Sequence, residues 1–585
     1  MRTATRVEEI SRPAEWLDRL ADPRTILVLF FASIVVINPF REMLTADDSW
    51  AYARTVQHLL STGRYKLDMW SAANMPVQIY LAAALSKLFG YSLSLLRCFT
   101  LVLLGIGLFS FYFLLRELSC SRKIASVFTL GLLASPLTLV LGFTFMSDVP
   151  FLAWLLLALW LYVRGLRKND IRSMLLGSLA AGCAIGTRQF GVTLVGGLLL
   201  CWLLCSRERR PPLRLIAAGL WAPLLAALVQ LHSGLATPNI TQTVRMAQQH
   251  EFLHLPIRLL IEEFFWRCAV IVQYTGMAML PVLPLALFPS SPEAKAALRG
   301  RWLLITLLAG GAIVGALSMS SFITARPSAQ HRGIWEPLEL YWLLPAQLEH
   351  NRSVMWLLDI GGIAGGAVMI GILSRQIHQA WKSRRTSPEG ILLATTVAGF
   401  FALHLFYVQL NDTYILTFLP FALLAFAKEA SKHKESRIAL AASVALSAIF
   451  ILAISFYVRS EDSRLEALCK AADNLVSAGI PPENIASTRA WEEYHGAFDQ
   501  WVAAGTPRLT APPGTLTRGA DPFHDPFYSW LQERLNRADY RIDAYQHPPP
   551  GWDPVASYSY RTMFFHRRLV WVLKRTTTSG RDSNR

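Results

Sequence analysis

Arg97-Cys-Phe-Thr-Leu-Val-Leu-Leu-Gly-Ile-Gly-Leu-Phe-Ser-Phe-Tyr-Phe-Leu-Leu-Arg116 carries no charge between its two terminal arginines. As an α-helix, rising about 1.5 Å per residue, such a run crosses the roughly 30 Å hydrocarbon layer of a bilayer. The pattern recurs near 25–40, 97–116, 123–142, 149–165, 171–187, 189–205, 213–232, 266–288, 302–322, 353–374, 391–408, 412–427 and 438–457. Runs of roughly 17–25 apolar residues predict about thirteen transmembrane helices. The 585 residues are 53% hydrophobic and only 16% charged, with mean hydropathy +0.35, a balance that excludes a soluble multidomain enzyme. Val77–Phe89 is apolar but short and contains Gln78 and Lys87, so it is expected to lie on the membrane surface.

The net charge of +16 invites a nucleic-acid reading, but its distribution argues otherwise. Lys and Arg gather in short connections: Arg116…Lys123, Arg164…Arg172, Arg207…Arg214, Lys295…Arg301, Arg375…Arg385 and Lys428…Arg437. They alternate with connections poor in both, which is the positive-inside pattern. Residues 1–24 and the basic connections are thereby expected in the cytoplasm, and no nucleic-acid partner is implied. On the outer side fall the segment 41–96, the Ser147-Asp148 turn, the Arg188 turn, the loops 233–265 and 323–352, and the tail. The seven cysteines match no metal-binding spacing and read as small hydrophobes. Residues 1–24 show no cleavable signal pattern, so the first span is expected to act as a signal anchor.

The organisation expected is therefore a cytoplasmic N-terminus over 1–24, a membrane domain over 25–457 and an extracytoplasmic domain over 458–585. The tail is rich in charge, aromatics and proline. Ser463–Ala478 and Pro526–Ala538 have helical patterns, Pro526 being suited to a first helical position. Leu569-Val-Trp-Val-Leu573 reads as a strand with Tyr540-Arg-Ile-Asp-Ala544 as a partner. The tail is long enough for a small α/β domain.

Carboxylates at a bilayer edge are costly and are usually kept for ion, proton or substrate chemistry. Asp47 and Asp48 follow the first span, and Asp148 lies in Phe143-Thr-Phe-Met-Ser-Asp-Val-Pro150. The predicted topology puts all three on one side. Trp50, Ala53, Val56, Leu59 and Leu60 share a helical face after the acidic pair, so either aspartate could serve as the cap of that helix. Tyr52, Asp68, Trp70, Asn74 and Gln78 make the following stretch polar and aromatic, suited to an interfacial cleft for a hydroxyl-rich ligand.

These residues resemble bacterial glycosyltransferases of the GT-C fold, and more narrowly the family 39 group of protein-mannosyltransferase and aminoarabinose-transferase-like enzymes. The resemblance rests on the acidic pair followed by Tyr52-Ala53 and His58-Leu-Leu-Ser-Thr-Gly63, then on Phe145-Met-Ser-Asp-Val-Pro-Phe151, Gly186-Thr-Arg-Gln-Phe-Gly191 and Asn411-Asp-Thr-Tyr-Ile-Leu-Thr-Phe-Leu-Pro420. It is strong over 40–205, diffuse over 206–400 and returns near 411–420. It implies transfer of a sugar from a polyprenyl-phosphate donor to an extracytoplasmic protein, lipid or glycan, at the inner membrane of a bacterium. By spacing to the tyrosine, Asp48 rather than Asp47 would be the general base. Asp148 would orient acceptor or sugar, or help hold a divalent metal. Arg188 would bind the leaving phosphate. Tyr52, Asp68 and Gln78 are assigned to substrate. Asp412 and Thr413 stand where relatives carry Arg beside the tyrosine equivalent to Tyr414, so Arg326 or Arg332 is expected to supply any second phosphate contact. His250, His254 and His331 read as surface histidines, and the residues by themselves specify no metal.

A transporter or flippase is the competing class, but no two halves carry matching Gly/Pro breaks and the polar outliers sit at outer ends rather than at midplane. An anchoring protein, with the tail as partner module, is a third. Reporter fusions after Arg122, Lys168, Arg209, Lys295, Arg384 and Lys432 should report cytoplasm, and fusions after Arg64 and in the tail the opposite compartment. A cytoplasmic tail would show the topology to be off by one span.

Overall fold

The computed structural model describes residues 21–45, 48–236, 239–287, 301–317, 352–383, 387–407, 410, 412–432, 436–504, 524–544, 548–562 and 566–576. Asp47, Arg326, Arg332 and His331 lie outside the described residues. The chain is a multi-pass helical membrane protein with a small C-terminal α/β sheet domain. An apolar backbone in lipid must satisfy its own polar groups, and the helix does so within one segment. The described parts of the thirteen apolar stretches are largely helical, several of them divided between two or three separate helices. Among the described residues seven helices are long and apolar enough to cross a membrane alone, and an eighth crossing is made if a bent pair counts as one. That pair, Arg122–Leu133 and Pro136–Gly142, turns by 65° where Pro136 lacks an amide proton to continue the ladder. Helix starts are marked by side chains that accept otherwise unpaired amides: Asp22, Ser92, Ser121, Asp170, Ser387 and Ser436.

Four of the basic connections carry ion pairs. Asp22 pairs with Arg122 at 2.8 Å, Glu117 with Lys168 at 3.1 Å and Arg164 at 3.5 Å, and Glu429 with Lys432 at 2.7 Å and Arg375 at 2.9 Å. Asp148 begins the helix that ends at Lys168, so it stands at the opposite end of that helix, beside Arg188.

That end is covered by the C-terminal domain. The last membrane helix does not stop at its edge: Arg437–Ser477 runs unbroken for 41 residues. The boundary expected between 457 and 458 falls inside it, and the helical pattern read over Ser463–Ala478 is its final third. The expected helix over Pro526–Ala538 is His524–Arg537, which begins two residues earlier. Among the described residues four strands follow the order β1-β2-β4-β3, with β1 Ile485–Ala486, β2 Tyr540–Asp543, β3 Trp552–Arg561 and β4 Arg567–Arg575. The anticipated pairing is β2 against β4, antiparallel, with Tyr540 opposite Lys574 and Ile542 opposite Val572. β3 also pairs antiparallel with β4, and β1 adds a parallel edge; neither was expected.

The hydrophobic core of this domain is not its own. Trp491, Phe498, Trp501, Phe527, Val570 and Val572 belong to the same buried cluster as Trp50, Trp70, Met75 and Ile79 of the segment after the first span. The rings of Trp70 and Phe498 meet at 85° with centroids 5.0 Å apart, and the Phe527 ring centroid lies 5.7 Å from that of Trp70. Gln57 donates to the Tyr494 hydroxyl at 2.6 Å, and Arg54 reaches the Glu493 carbonyl and the Asp499 carboxylate.

Candidate active site

Ser49–Thr62 is an amphipathic helix that buries Trp50, Tyr52, Ala53, Val56 and Leu59 and leaves Leu60 at the margin, close to the face expected. Asp48 occupies the N-cap position, yet its side chain makes no capping bond. Its Oδ1 instead accepts from the Trp70 indole at 2.9 Å and lies 3.5 Å from Arg489 Nη2. Of the carboxyl side chain 41% remains exposed. The positive end of the helix backs the anion, so Asp48 is a solvated carboxylate held in one direction by an indole N–H.

Asp148 is buried at the first position of the helix Asp148–Lys168. The next helix, Ile171–Thr187, runs antiparallel and delivers Arg188 as its C-cap. Two consecutive antiparallel helices thus place an acid at a helix N-terminus beside a base at a helix C-terminus, each favoured by its local dipole. Arg188 Nη2 donates to Asp148 Oδ2 at 3.1 Å, Nη1 lies 2.9 Å from Oδ1, and Nε donates to the Ser147 hydroxyl at 2.9 Å. The turn that carries Asp148 is clamped from the first segment: the Phe145 amide donates to Ser49 Oγ at 3.1 Å, and its carbonyl accepts from Gln78 Nε2 at 3.0 Å.

Tyr52 lies within electrostatic reach of both acids. It is buried, its hydroxyl is held far on the neutral side by that burial, and it senses the charges of Asp48, Arg188 and Asp148. Behind Arg188 lies an aromatic wall. The guanidinium carbon stands 5.2 Å over the Tyr414 ring, and Phe190 packs on Tyr414 at 5.7 Å and His404 at 4.7 Å. A cation over an aromatic face is attracted by the ring quadrupole.

Of the residues read from the sequence, Asp48, Tyr52, Asp148, Arg188 and Tyr414 are brought together. Gln78 is buried with its amide nitrogen engaged by Phe145, and its Oε1 accepts no hydrogen bond among the described residues. Asp68 is buried beneath Trp70: its Oδ1 accepts the Trp70 amide at 2.9 Å and its Oδ2 lies 3.4 Å from Arg54. It holds the backbone of the residue whose indole holds Asp48. His250 and His254 stack at 4.2 Å at the surface. Among the described residues no three His, Cys, Asp or Glu side chains converge as a ligand set.

Two arginines went unread in the sequence. Arg267 is fully buried, bonded to Glu263 at 2.7 Å and to the carbonyls of His404 and Tyr407, so it fixes the turn behind Tyr414. An ionisable residue in an apolar helix is a warning sign, but the expected span began at 266 and put Arg267 at its edge. Arg489, on the helix Arg489–Tyr494, reaches Asp48 from a distant part of the chain, and no local pattern announces that.

Residues 73–232 match the family model described as dolichyl-phosphate-mannose-protein mannosyltransferase. The match contains Asp148 and Arg188 and begins after Asp48. No curated protein matches the sequence. Among solved structures, the chain is similar to apo ArnT from Cupriavidus metallidurans, with 16% identity, 98% of this chain and 100% of that chain covered, and a TM-score of 0.39. It is also similar to the oligosaccharyltransferase AglB from Archaeoglobus fulgidus, with 11% identity over 97% of this chain and 75% of that one and a TM-score of 0.40. The protein O-mannosyltransferase Pmt1-Pmt2 complex of S. cerevisiae aligns with 37% of this chain and 34% of its own at 16% identity and a TM-score of 0.30.

Removing one partner of a buried ion pair strands the other charge, at a cost of about 3–5 kcal/mol. Asp148→Ala and Arg188→Ala should each lower the unfolding midpoint in detergent, and the double variant by less than the sum. Additive losses would show that the pair carries no coupling. A pH effect follows from the buried carboxyls of this face. Burial pushes Asp68 up to about 6, Glu492 up to about 7 and Glu493 up to about 8. The folded state therefore binds these protons more tightly than the unfolded chain. The stability they contribute is complete below the ordinary carboxyl range and is lost progressively as pH rises from that range to about 8. The melting temperature should fall over that window, and Glu493→Gln should flatten its upper part.

Proposed function

We propose that this protein is a GT-C glycosyltransferase that moves a sugar from a polyprenyl-phosphate donor to an extracytoplasmic acceptor, with Asp48 as general base. The observation that carries the reading is a solvated carboxylate at an unused cap position and a buried arginine–aspartate pair, with buried Tyr52 within electrostatic reach of both. The family match over 73–232 supports it. The reaction needs one group to take a proton and another to receive a developing phosphate charge, and the two ends of this site differ in that sense.

In this reading the acceptor hydroxyl or amine gives its proton to Asp48 as its lone pair attacks the anomeric carbon. The bond from that carbon to the phosphate oxygen breaks, and polyprenyl phosphate leaves with the electron pair. Arg188 shares its guanidinium between Asp148 and the departing phosphate, and Tyr414 supports its far face. Arg326 or Arg332 is assigned to a second phosphate contact and Tyr52 to the substrate side of the cleft, while Asp68 and Gln78 hold Trp70 and Phe145 behind it. No step passes through a metal. The basic connections then face the cytoplasm of a bacterial inner membrane and the sheet domain the outside.

The test is release of polyprenyl phosphate from a sugar-charged lipid by detergent-purified protein. Asp48→Asn keeps the shape and cannot take a proton, so transfer should fall roughly 10²–10⁴-fold. Asp47→Asn should leave turnover nearly intact. A dead Asp47→Asn with an active Asp48→Asn would move the base by one residue. Full transfer in both would sink the mechanism.

A further inference from the structure

The C-terminal domain places one cation against Asp48. Arg489 Nη2 lies 3.5 Å from Asp48 Oδ1, and its guanidinium stands 5.7 Å over the ring of Trp70, the same indole that donates to that oxygen. From behind, Arg489 Nε donates to Glu493 Oε1 at 3.1 Å, one turn along its own helix. We propose that Arg489 is a positioning residue for the transfer reaction: the sheet domain completes the site by supplying the guanidinium that, with Trp70, fixes the direction of the Asp48 carboxylate. This rests on the reading of Asp48 as the base.

The surrounding chemistry favours that role over a plain docking contact. Oδ1 receives both Trp70 and Arg489. That concentrates the restraint on one oxygen of a side chain that stays 41% exposed. Glu493 is fully buried, and its protonation equilibrium, raised by burial and by Asp48 itself, keeps it largely neutral below about 8. A neutral Glu493 orients Arg489 through a hydrogen bond without cancelling its charge, which stays directed at Asp48. Arg54 takes the Glu493 carbonyl and the Asp499 and Asp68 carboxylates, so it does not compete for Glu493's side chain. The docking itself is carried elsewhere, by the Trp70–Phe498–Phe527 cluster and by Gln57 on Tyr494.

The experiment uses the full-length protein and its turnover on the lipid-linked donor. Arg489→Ala should lower kcat on the order of 10-fold with the donor KM unchanged, because orientation is lost while donor binding is not. Arg489→Lys should restore part of it. Gln57→Ala removes a contact between the same two helices away from Asp48 and should leave kcat unchanged. An Arg489→Ala protein with wild-type kcat, beside an inactive Asp48→Asn, overturns this inference and leaves the transferase reading standing. Absence of turnover in the wild type would count against the transferase reading instead. The positioning claim is then decided by carbodiimide labelling of Asp48 read by mass spectrometry: labelling should rise several-fold in Arg489→Ala and not in Gln57→Ala. Equal labelling in all three proteins overturns it.

Discussion

The buried guanidinium of Arg188 is the constraint around which this end of the molecule is arranged. An unpaired charge in such a place costs several kcal/mol, so Asp148 must face it, and Asp148 can do so only if its turn is held in register. Ser49 and Gln78 supply that hold through the backbone of Phe145. Tyr414 supplies the remaining face, and Tyr414 is backed by a turn whose carbonyls are bound by a second buried arginine, Arg267. Each charge at this end is thus answered by a group from another helix, and the ends of the helices cannot slide independently.

Asp48 stands in contrast. It is close enough to influence Tyr52, as Asp148 is, but it is solvated and restrained by hydrogen bonds from one side. The two acids therefore differ in what they can do. Asp148 is locked to a buried arginine, whereas 41% of the Asp48 side chain is open to solvent. Environments that separate two carboxylates in this way separate their chemical roles, which is why the proposed mechanism gives the proton to Asp48 and the phosphate to the Arg188 pair.

The continuity of Arg437–Ser477 explains how a sheet domain comes to contribute to a membrane site. A helix of that length carries the chain out of the bundle along a fixed axis, and the aromatic cluster around Trp70 then locks the returning segments onto the Ser49–Thr62 helix. Because that cluster draws on both parts, neither part buries its aromatic residues without the other.

Read alone, the sequence determined the class of the molecule. Periodic apolar runs require helices, and the spacing of basic connections orders the runs by end, so the membrane architecture and the grouping of Asp48, Asp148 and Arg188 were legible from composition and topology alone. So were the β2 and β4 strands, whose alternation is local. The partners were decided only by the tertiary structure. Nothing in Arg489-Ala-Trp-Glu-Glu-Tyr494 points to Asp48, and Asp68 and Gln78, polar and therefore read as facing a ligand, turn inward to hold Trp70 and Phe145. Residue type tells that a polar group must be satisfied; which atom satisfies it depends on how distant helices pack, and that information is spread over the whole chain.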